Sequence, residues 1–139
     1  VTLNRTLTWL LTHQQQDGSF DDQGPCYHFR FCSGEFRREG LTALFYYAMT
    51  RDNVSDFLPL FIRQRLFEGE QSPMLRAHRF LESRYDAVKS CMLTTSLFEL
   101  AFSQSRWVSS QLREKVMKNL RGRQLTVVPE DGSKFYKYN

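Results

Sequence analysis

Few side chains in this chain of 139 residues can ligate a soft metal or attack a carbonyl: His13, His28 and His78, and Cys26, Cys32 and Cys91. Cys26, His28 and Cys32 crowd into one short stretch, with Asp22 nearby. Such a cluster has two chemistries open to it, metal ligation and nucleophilic catalysis by a neutral imidazole. The ligand pairs at fixed short spacing that build a zinc site are missing, so Asp22, Cys26 and His28 are not expected to hold one. His13 and His78 fall within helical patterns and are expected to be solvated or packed. Three cysteines are an odd number. One disulfide plus a free thiol, joining Cys26 or Cys32 to Cys91, and three reduced thiols are both open. Two glycosylation sequons are present, Asn4-Arg5-Thr6 and Asn53-Val54-Ser55. Asn53 is the better candidate, because it follows Arg51-Asp52 in an expected loop, whereas Asn4 sits inside a helical stripe.

The elements that must position these groups are helical. Leu3, Leu7, Leu10 and Leu11 recur at helical spacing, and Asp17-Gly18 ends that helix. Residues 20–40 read as irregular, with a turn at Gly24-Pro25 and breakers at Gly34 and Gly40. Leu41, Leu44, Phe45, Ala48 and Met49 restart the helical period. Val54, Phe57, Leu58, Phe61 and Ile62 suggest another short helix, with Pro59 tolerated only near its first turn. Ser72-Pro73 reads as an N-cap and first helical residue, followed by a face of Met74, Ala77, Leu81 and Tyr85. Val88 to Phe102 is apolar nearly all round, which predicts a helix buried on every side with Glu99 facing a polar partner. Val108, Leu112, Val116 and Leu120 form one face of a last helix whose other face is basic, through Arg113, Lys115, Lys118, Arg121 and Arg123. That face reads first as a solvated outer surface, and second as a binding site for heparin or an acidic partner. Leu125 to Val128 is a short extended piece, and Pro129-Glu130-Asp131-Gly132 a turn. The expected class is all-α, with buried and amphipathic helices alternating in a layered α/α arrangement.

Composition agrees. Hydrophobic residues at 41%, aromatics at 14%, four prolines and seven glycines describe a chain that folds rather than a linker or disordered tract. No apolar run approaches the roughly 20 residues of a membrane helix. The net charge of +4 is modest. The basic residues are dispersed rather than interleaved with aromatics on one element, so nucleic acid is not an expected partner.

One string is more specific than any of these patterns. Trp9-Leu10, Gln14, Gly18 and Phe20 stand at the spacing of the QW-type repeat of α/α toroids, and Phe80-Leu81 begins a weaker copy. The aromatic and Leu anchor a helix, the Gln bridges backbone groups beyond it, and the Gly permits a tight turn. Within that class the run Trp9-Leu10-Leu11-Thr12-His13-Gln14-Gln15-Gln16-Asp17-Gly18-Ser19-Phe20 resembles the thioester-containing domain of the complement and alpha-2-macroglobulin superfamily. The Gly24-Pro25-Cys26-Tyr27-His28 loop, the Leu41-Thr42-Ala43-Leu44-Phe45 helix, Arg79-Phe80-Leu81-Glu82 and residues 87–101 resemble the segments that follow in that family. The likeness runs in register along the whole chain and extends to insect-type thioester proteins, macroglobulin complement-related proteins and complement components. Terpene cyclases and prenyltransferases, the other toroid branches, carry an Asp-rich cluster or a zinc set that is missing here.

The resemblance implies that residues 1–139 are part of an α/α toroid, about five or six helices of a ring of about twelve. The family's Cys-Gly-Glu-Gln thioester motif would lie upstream of Val1, and ring-closing helices after Asn139. It further implies a secreted glycoprotein of innate immunity that tags surfaces covalently, with no cofactor and no activity as an enzyme beyond self-acylating transfer. His28 stands where the family places the histidine that steers the thioester acyl group toward hydroxyls. Implied partners are the remaining domains of the parent chain, carbohydrate or protein of a microbial or host surface, and a complement-type receptor or regulator. After His28 the chain reads Phe29-Arg30-Phe31-Cys32-Ser33-Gly34, where the family usually has polar residues, Met and a Gly pair. Two alternatives therefore accompany the reading. One is a thioester-less relative that acts by binding, as an opsonin or at cell junctions. The other is a protease-trapping macroglobulin, although such traps commonly carry Asn at the His28 position.

Overall fold

The computed structural model describes residues 2–21, 36–127 and 135–138; the side chains of residues 2–4, 52, 53, 55, 124–127 and 135–138 fall outside that description. The described residues form seven α-helices, one 3-10 helix and one two-stranded antiparallel ladder. They divide into two compact units, residues 1–107 and 108–139.

The first unit holds six α-helices: α1 (Thr2–Thr12), α2 (Arg37–Thr50), α3 (Asp52–Phe57), α4 (Leu60–Phe67), α5 (Pro73–Arg84) and α6 (Met92–Ser103), with the 3-10 helix at Ala87–Ser90. Helix α2 packs on α5 and α6, and α4 packs on α5. Tyr46, Leu66, Met74, Ala77, Leu81, Tyr85, Val88 and Phe98 are fully enclosed between them. Tyr85, Phe98 and Phe102 meet at centroid distances of 5.8–6.5 Å, two of the three contacts edge to face. Burial of these large aromatics in one place, with the aliphatic residues around them, stabilises this unit through the apolar area removed from water.

Four expectations are corrected here. Gly40 does not break a helix; it is buried in the first turn of α2, its amide donating to the Phe36 carbonyl at 2.9 Å. The inward face of α2 is Thr42, Ala43, Tyr46 and Met49, whereas Leu41, Leu44 and Phe45 are only partly covered and Ala48 is exposed. The face is offset because Thr42 and Tyr46 find hydrogen-bond partners inside, which lets polar side chains take core positions. Pro59 divides the expected helix in two and occupies the N-cap of α4, since it has no amide to donate to a continuous helix. Helix α6 is not buried all round. Thr94, Thr95, Phe98, Ala101 and Phe102 face the core, while Met92, Leu93 and Leu100 are exposed.

Glu99 is buried on that inward face and accepts a hydrogen bond from the Tyr85 hydroxyl at 2.9 Å. A buried carboxylate needs such a donor, because unpaired it would cost several kcal/mol. Glu39 is likewise buried and pairs with Arg84 at 3.0 Å, joining α2 to the end of α5. Pro73 opens α5 next to Ser72, whose hydroxyl makes no capping bond.

The second unit contains α7 (Ser110–Arg123), on which Leu112 and Val116 are buried and Arg113, Lys115, Lys118 and Arg121 exposed. Strands β1 (Gln124–Val127) and β2 (Phe135–Tyr138) pair with Gln124 opposite Tyr138 and Val127 opposite Phe135. The extended piece after α7 thus pairs with a strand that the residue pattern does not predict, and the turn at 129–132 lies outside the described residues. Among the described residues no helix is long and apolar enough to cross a membrane.

Candidate functional site

The Gln14–Phe20 turn is tied to two helices of the first unit. Helix α1 ends at Thr12, and the chain doubles back so that Gln14 and Phe20 form an isolated antiparallel bridge. Gln15 donates to the Ser19 carbonyl at 2.8 Å, and Gly18 donates to the Gln15 carbonyl at 3.0 Å. Gly18 has φ +93°, a left-handed conformation that Gly adopts without a Cβ penalty. The Gln14 side-chain amide donates to the Gly18 carbonyl at 2.9 Å and to the Pro73 carbonyl at 2.8 Å. Pro73 starts α5, so Gln14 joins the turn to the first residue of that helix. Arg76, one turn further along α5, donates to the carbonyls of Gln15 and Gln16 at 2.9 and 3.0 Å. Trp9 is 46% exposed and stacks on His13 with centroids 4.0 Å apart, and His13 Nδ1 lies 2.7 Å from the Trp9 carbonyl. Leu10 is partly buried.

Asp17 organises the tip. Its carboxylate accepts from the Ser19 amide at 3.0 Å and the Ser19 hydroxyl at 2.6 Å, and it pairs with Arg38. Burial alone would raise the Asp17 carboxyl, but the Ser19 bonds and the Arg38 charge together hold it below its ordinary value. On the other side the Phe20 amide donates to Thr42 Oγ1 at 2.9 Å, and Phe20 meets the Phe45 ring edge-on at 4.5 Å. The turn is therefore fixed to α5 by Gln14 and Arg76, and to α2 by Thr42, Arg38 and Phe45.

Asp21 and Arg37, on either side of residues 22–35, form an ion pair at 3.2 Å. His28, Cys26, Cys32 and Asp22 lie within residues 22–35, outside the described residues. Cys91, at the N-cap of α6, is disulfide-bonded, and the chain offers only Cys26 and Cys32 as its partner. Backbone at Asn4 lies in α1 as expected, whereas Asn53 lies in the first turn of α3 and not in the expected loop; both side chains are outside the described residues. Among the described residues no group of His, Cys, Asp and Glu is arranged to hold a metal.

A sequence model of one domain family, the A-macroglobulin TED domain, matches residues 1–137. The chain belongs to the alpha-macroglobulin thioester-domain family. No significant match is found among curated proteins or among solved structures. The match spans both compact units, and the all-α first unit fits a segment of the α/α toroid.

The thioester-domain core also contains a polar chain for which the sequence offered only an isolated helical His. His78, buried on α5, has Nδ1 3.1 Å from the Tyr46 hydroxyl and Nε2 3.3 Å from the Glu82 carboxylate. The Tyr46 hydroxyl in turn contacts Ser105 Oγ. The network assigns the proton of neutral His78 to Nε2, facing Glu82, with Nδ1 accepting from Tyr46. Burial pushes the Tyr46 phenol up, so it stays a donor at any physiological pH. Burial also lowers His78 below its ordinary 6.5, outweighing the nearby Glu82 charge, with Arg79 adding to the lowering.

Folding therefore favours neutral His78, and the sign of its pH dependence follows. Between the unfolded value near 6.5 and the lower folded value, the unfolded chain binds more protons. The His78 contribution is fully present above about pH 6.5 and is lost as pH falls through the folded value. Urea midpoints of the wild type should drop from pH 7.5 to pH 5 by more than those of His78→Gln. Parallel curves for the two proteins would remove His78 as the source.

Proposed function

We propose that this chain is part of a secreted complement-like protein of innate immunity and that His28 steers covalent transfer from a thioester contributed by residues outside the chain. The observation that carries the reading is the family match over residues 1–137 together with a His at position 28, after the Asp-Gly-Ser-Phe turn. In the proposed reaction the unprotonated His28 imidazole attacks the thioester carbonyl. The C–S bond breaks, the electron pair leaves as a Cys thiolate, and a cationic acyl-imidazolium forms. The thiolate then takes the proton of a target hydroxyl, the hydroxyl oxygen attacks the acyl carbon, and the C–N bond breaks to give an ester and neutral His28. Imidazole suits the first step because it is largely neutral near pH 7.4. The transfer happens once per molecule, so the protein is a self-acylating reagent rather than a turnover catalyst.

Two features support the setting. The Cys91 disulfide fits an oxidising compartment such as the secretory pathway. The Asp21–Arg37 pair brings together the two sides of the segment that carries His28. Implied partners are the other domains of the parent protein, surface carbohydrate or protein, and a receptor or regulator of the complement type. A binding-only relative without a thioester is the second reading, favoured by the Phe29-Arg30-Phe31 continuation.

Intact mass of the parent protein before and after methylamine separates the two. A gain of one methylamine adduct with release of one thiol is the expected result. Native, undegraded protein that takes up no amine and releases no thiol would place the chain with the binding-only relatives.

A further inference from the structure

On the side of the first unit formed by the ends of α2, α4 and α6 there is a pocket of about 340 Å³, within the range of small-molecule sites. Its walls include Arg63, Phe67, Glu68, Gln104, Arg106 and Trp107. Trp107 and Phe67 stack loosely, with centroids 6.1 Å apart and planes 29° from parallel, and form an aromatic wall. The Arg106 guanidinium lies over both rings, 5.0 Å from Trp107 and 5.6 Å from Phe67. A guanidinium held by its face keeps its N–H edge available for an acceptor.

The cations beside this wall are not neutralised by the described residues. Arg63 donates one Nη2 bond to the Leu58 carbonyl at 3.2 Å, yet its Nε–H is buried with no hydrogen-bond partner. A buried donor without a partner is costly, and it makes Arg63 a group whose charge and N–H bonds the protein does not fully satisfy. Neither Arg63 nor Arg106 forms an ion pair with any described carboxylate, and Glu68, which shares the pocket, pairs with neither. The pocket thus has two cations against one anion, beside an aromatic wall.

We propose that this pocket binds a small carboxylate on a ring-sized body, the carboxylate held by Arg63 and Arg106 and the ring stacked on Trp107. A planar oxyanion matches the guanidinium fork, and the shape of the wall suits the flat face of a ring. The carboxylate can belong to an aromatic acid or to an acidic sugar, and the two sources differ in what stacks on Trp107.

Titration calorimetry of the intact protein tests it, with sodium phenylacetate, sodium glucuronate and the uncharged isostere phenylacetamide as probes. At least one of the two carboxylates should bind saturably, and binding should weaken with added salt. Phenylacetamide should bind at least about tenfold more weakly than phenylacetate if the aromatic acid is the ligand, a difference of about 1.4 kcal/mol. Preference for glucuronate assigns an acidic sugar, with glucose as its uncharged control. Arg106→Ala, at an exposed position, should leave the protein folded, with at most a small drop in melting temperature from the lost ring contacts, and weaken the carboxylate by about tenfold or more. Arg63→Gln, which keeps a donor but removes the charge, should do the same. Absence of saturable binding by both carboxylates up to about 10 mM, equal binding of charged and uncharged probes, or wild-type affinity in a folded Arg106→Ala protein would overturn the proposal.

Discussion

Gly18→Ala is expected to destabilise the first unit by about 3 kcal/mol or more, enough to unfold a marginal domain. Two effects add at this position. Gly18 has φ +93°, where an L side chain is strained by about 1–2 kcal/mol. A Cβ there would also stand 2.3 Å from the Arg76 carbonyl oxygen, a backbone atom within α5 that cannot rotate away. Relief would require the turn to move off α5, breaking the bonds from Gln14 to Pro73 and from Arg76 to Gln15 and Gln16. Gly69 supplies the control, because its φ is the same and a Cβ there meets nothing within 4 Å. Gly69→Ala should therefore show only the conformational part, about 1 kcal/mol. Urea denaturation of both variants measures the difference. Equal losses at the two positions would mean that close packing of the turn on α5 contributes nothing.

In the parent protein, activated in the presence of glycerol, His28→Asn should reduce ester formation by about a hundredfold while leaving transfer to methylamine in place. An Asn side chain offers no nucleophilic nitrogen, so the acyl-imidazolium cannot form and the thioester must be attacked directly. Amines attack thioesters unaided far better than hydroxyls do, which is why the loss should be selective. The ratio of glycerol ester to methylamine amide, read by mass spectrometry, is the quantity to follow, since it does not depend on how much thioester each preparation retains. An unchanged ratio in protein with an intact thioester would remove His28 from the chemistry.

The two expectations draw on different kinds of information. The Trp9–Phe20 string was legible because its residues act locally, through a helix end, a left-handed Gly and an amide that reaches backbone. What the string did not reveal is the far side of each contact. Arg76 carries no sequence signal for its role, since an Arg on a helix is ordinary, yet it holds two carbonyls of the turn from sixty residues away. Thr42 was hidden for a similar reason, because a Thr within a helix shows no sign that it will accept from a distant amide. Trp9 shows the opposite limit. A Trp at the head of a motif reads as an anchor, whereas its ring is half exposed and stacked on His13.

Helix α6 shows how periodicity misleads when it saturates. With apolar residues on every side of the helix, the pattern cannot say which side faces the core. The choice depends on where Tyr85 offers a donor to Glu99 and where Thr95 finds the Val88 carbonyl. His78 is a comparable case. As one His in an amphipathic stretch it reads as packed or solvated, and only the approach of Tyr46 from α2 and Ser105 from beyond α6 makes it part of a buried polar chain.

By itself the sequence determined the all-α class, the positions of most helices, the Gly18 turn and membership of the thioester-domain family. All of these rest on local backbone preference or on residue strings that survive without knowledge of neighbours. The tertiary structure alone decided which face of α2 and α6 turns inward and which carbonyls Gln14 and Arg76 hold. It also decided that Asp21 and Arg37 meet, and that Arg63, Arg106 and Trp107 share one pocket. Those outcomes depend on contacts between residues distant in the chain, whose energy is a property of pairs and cannot be read from either partner alone.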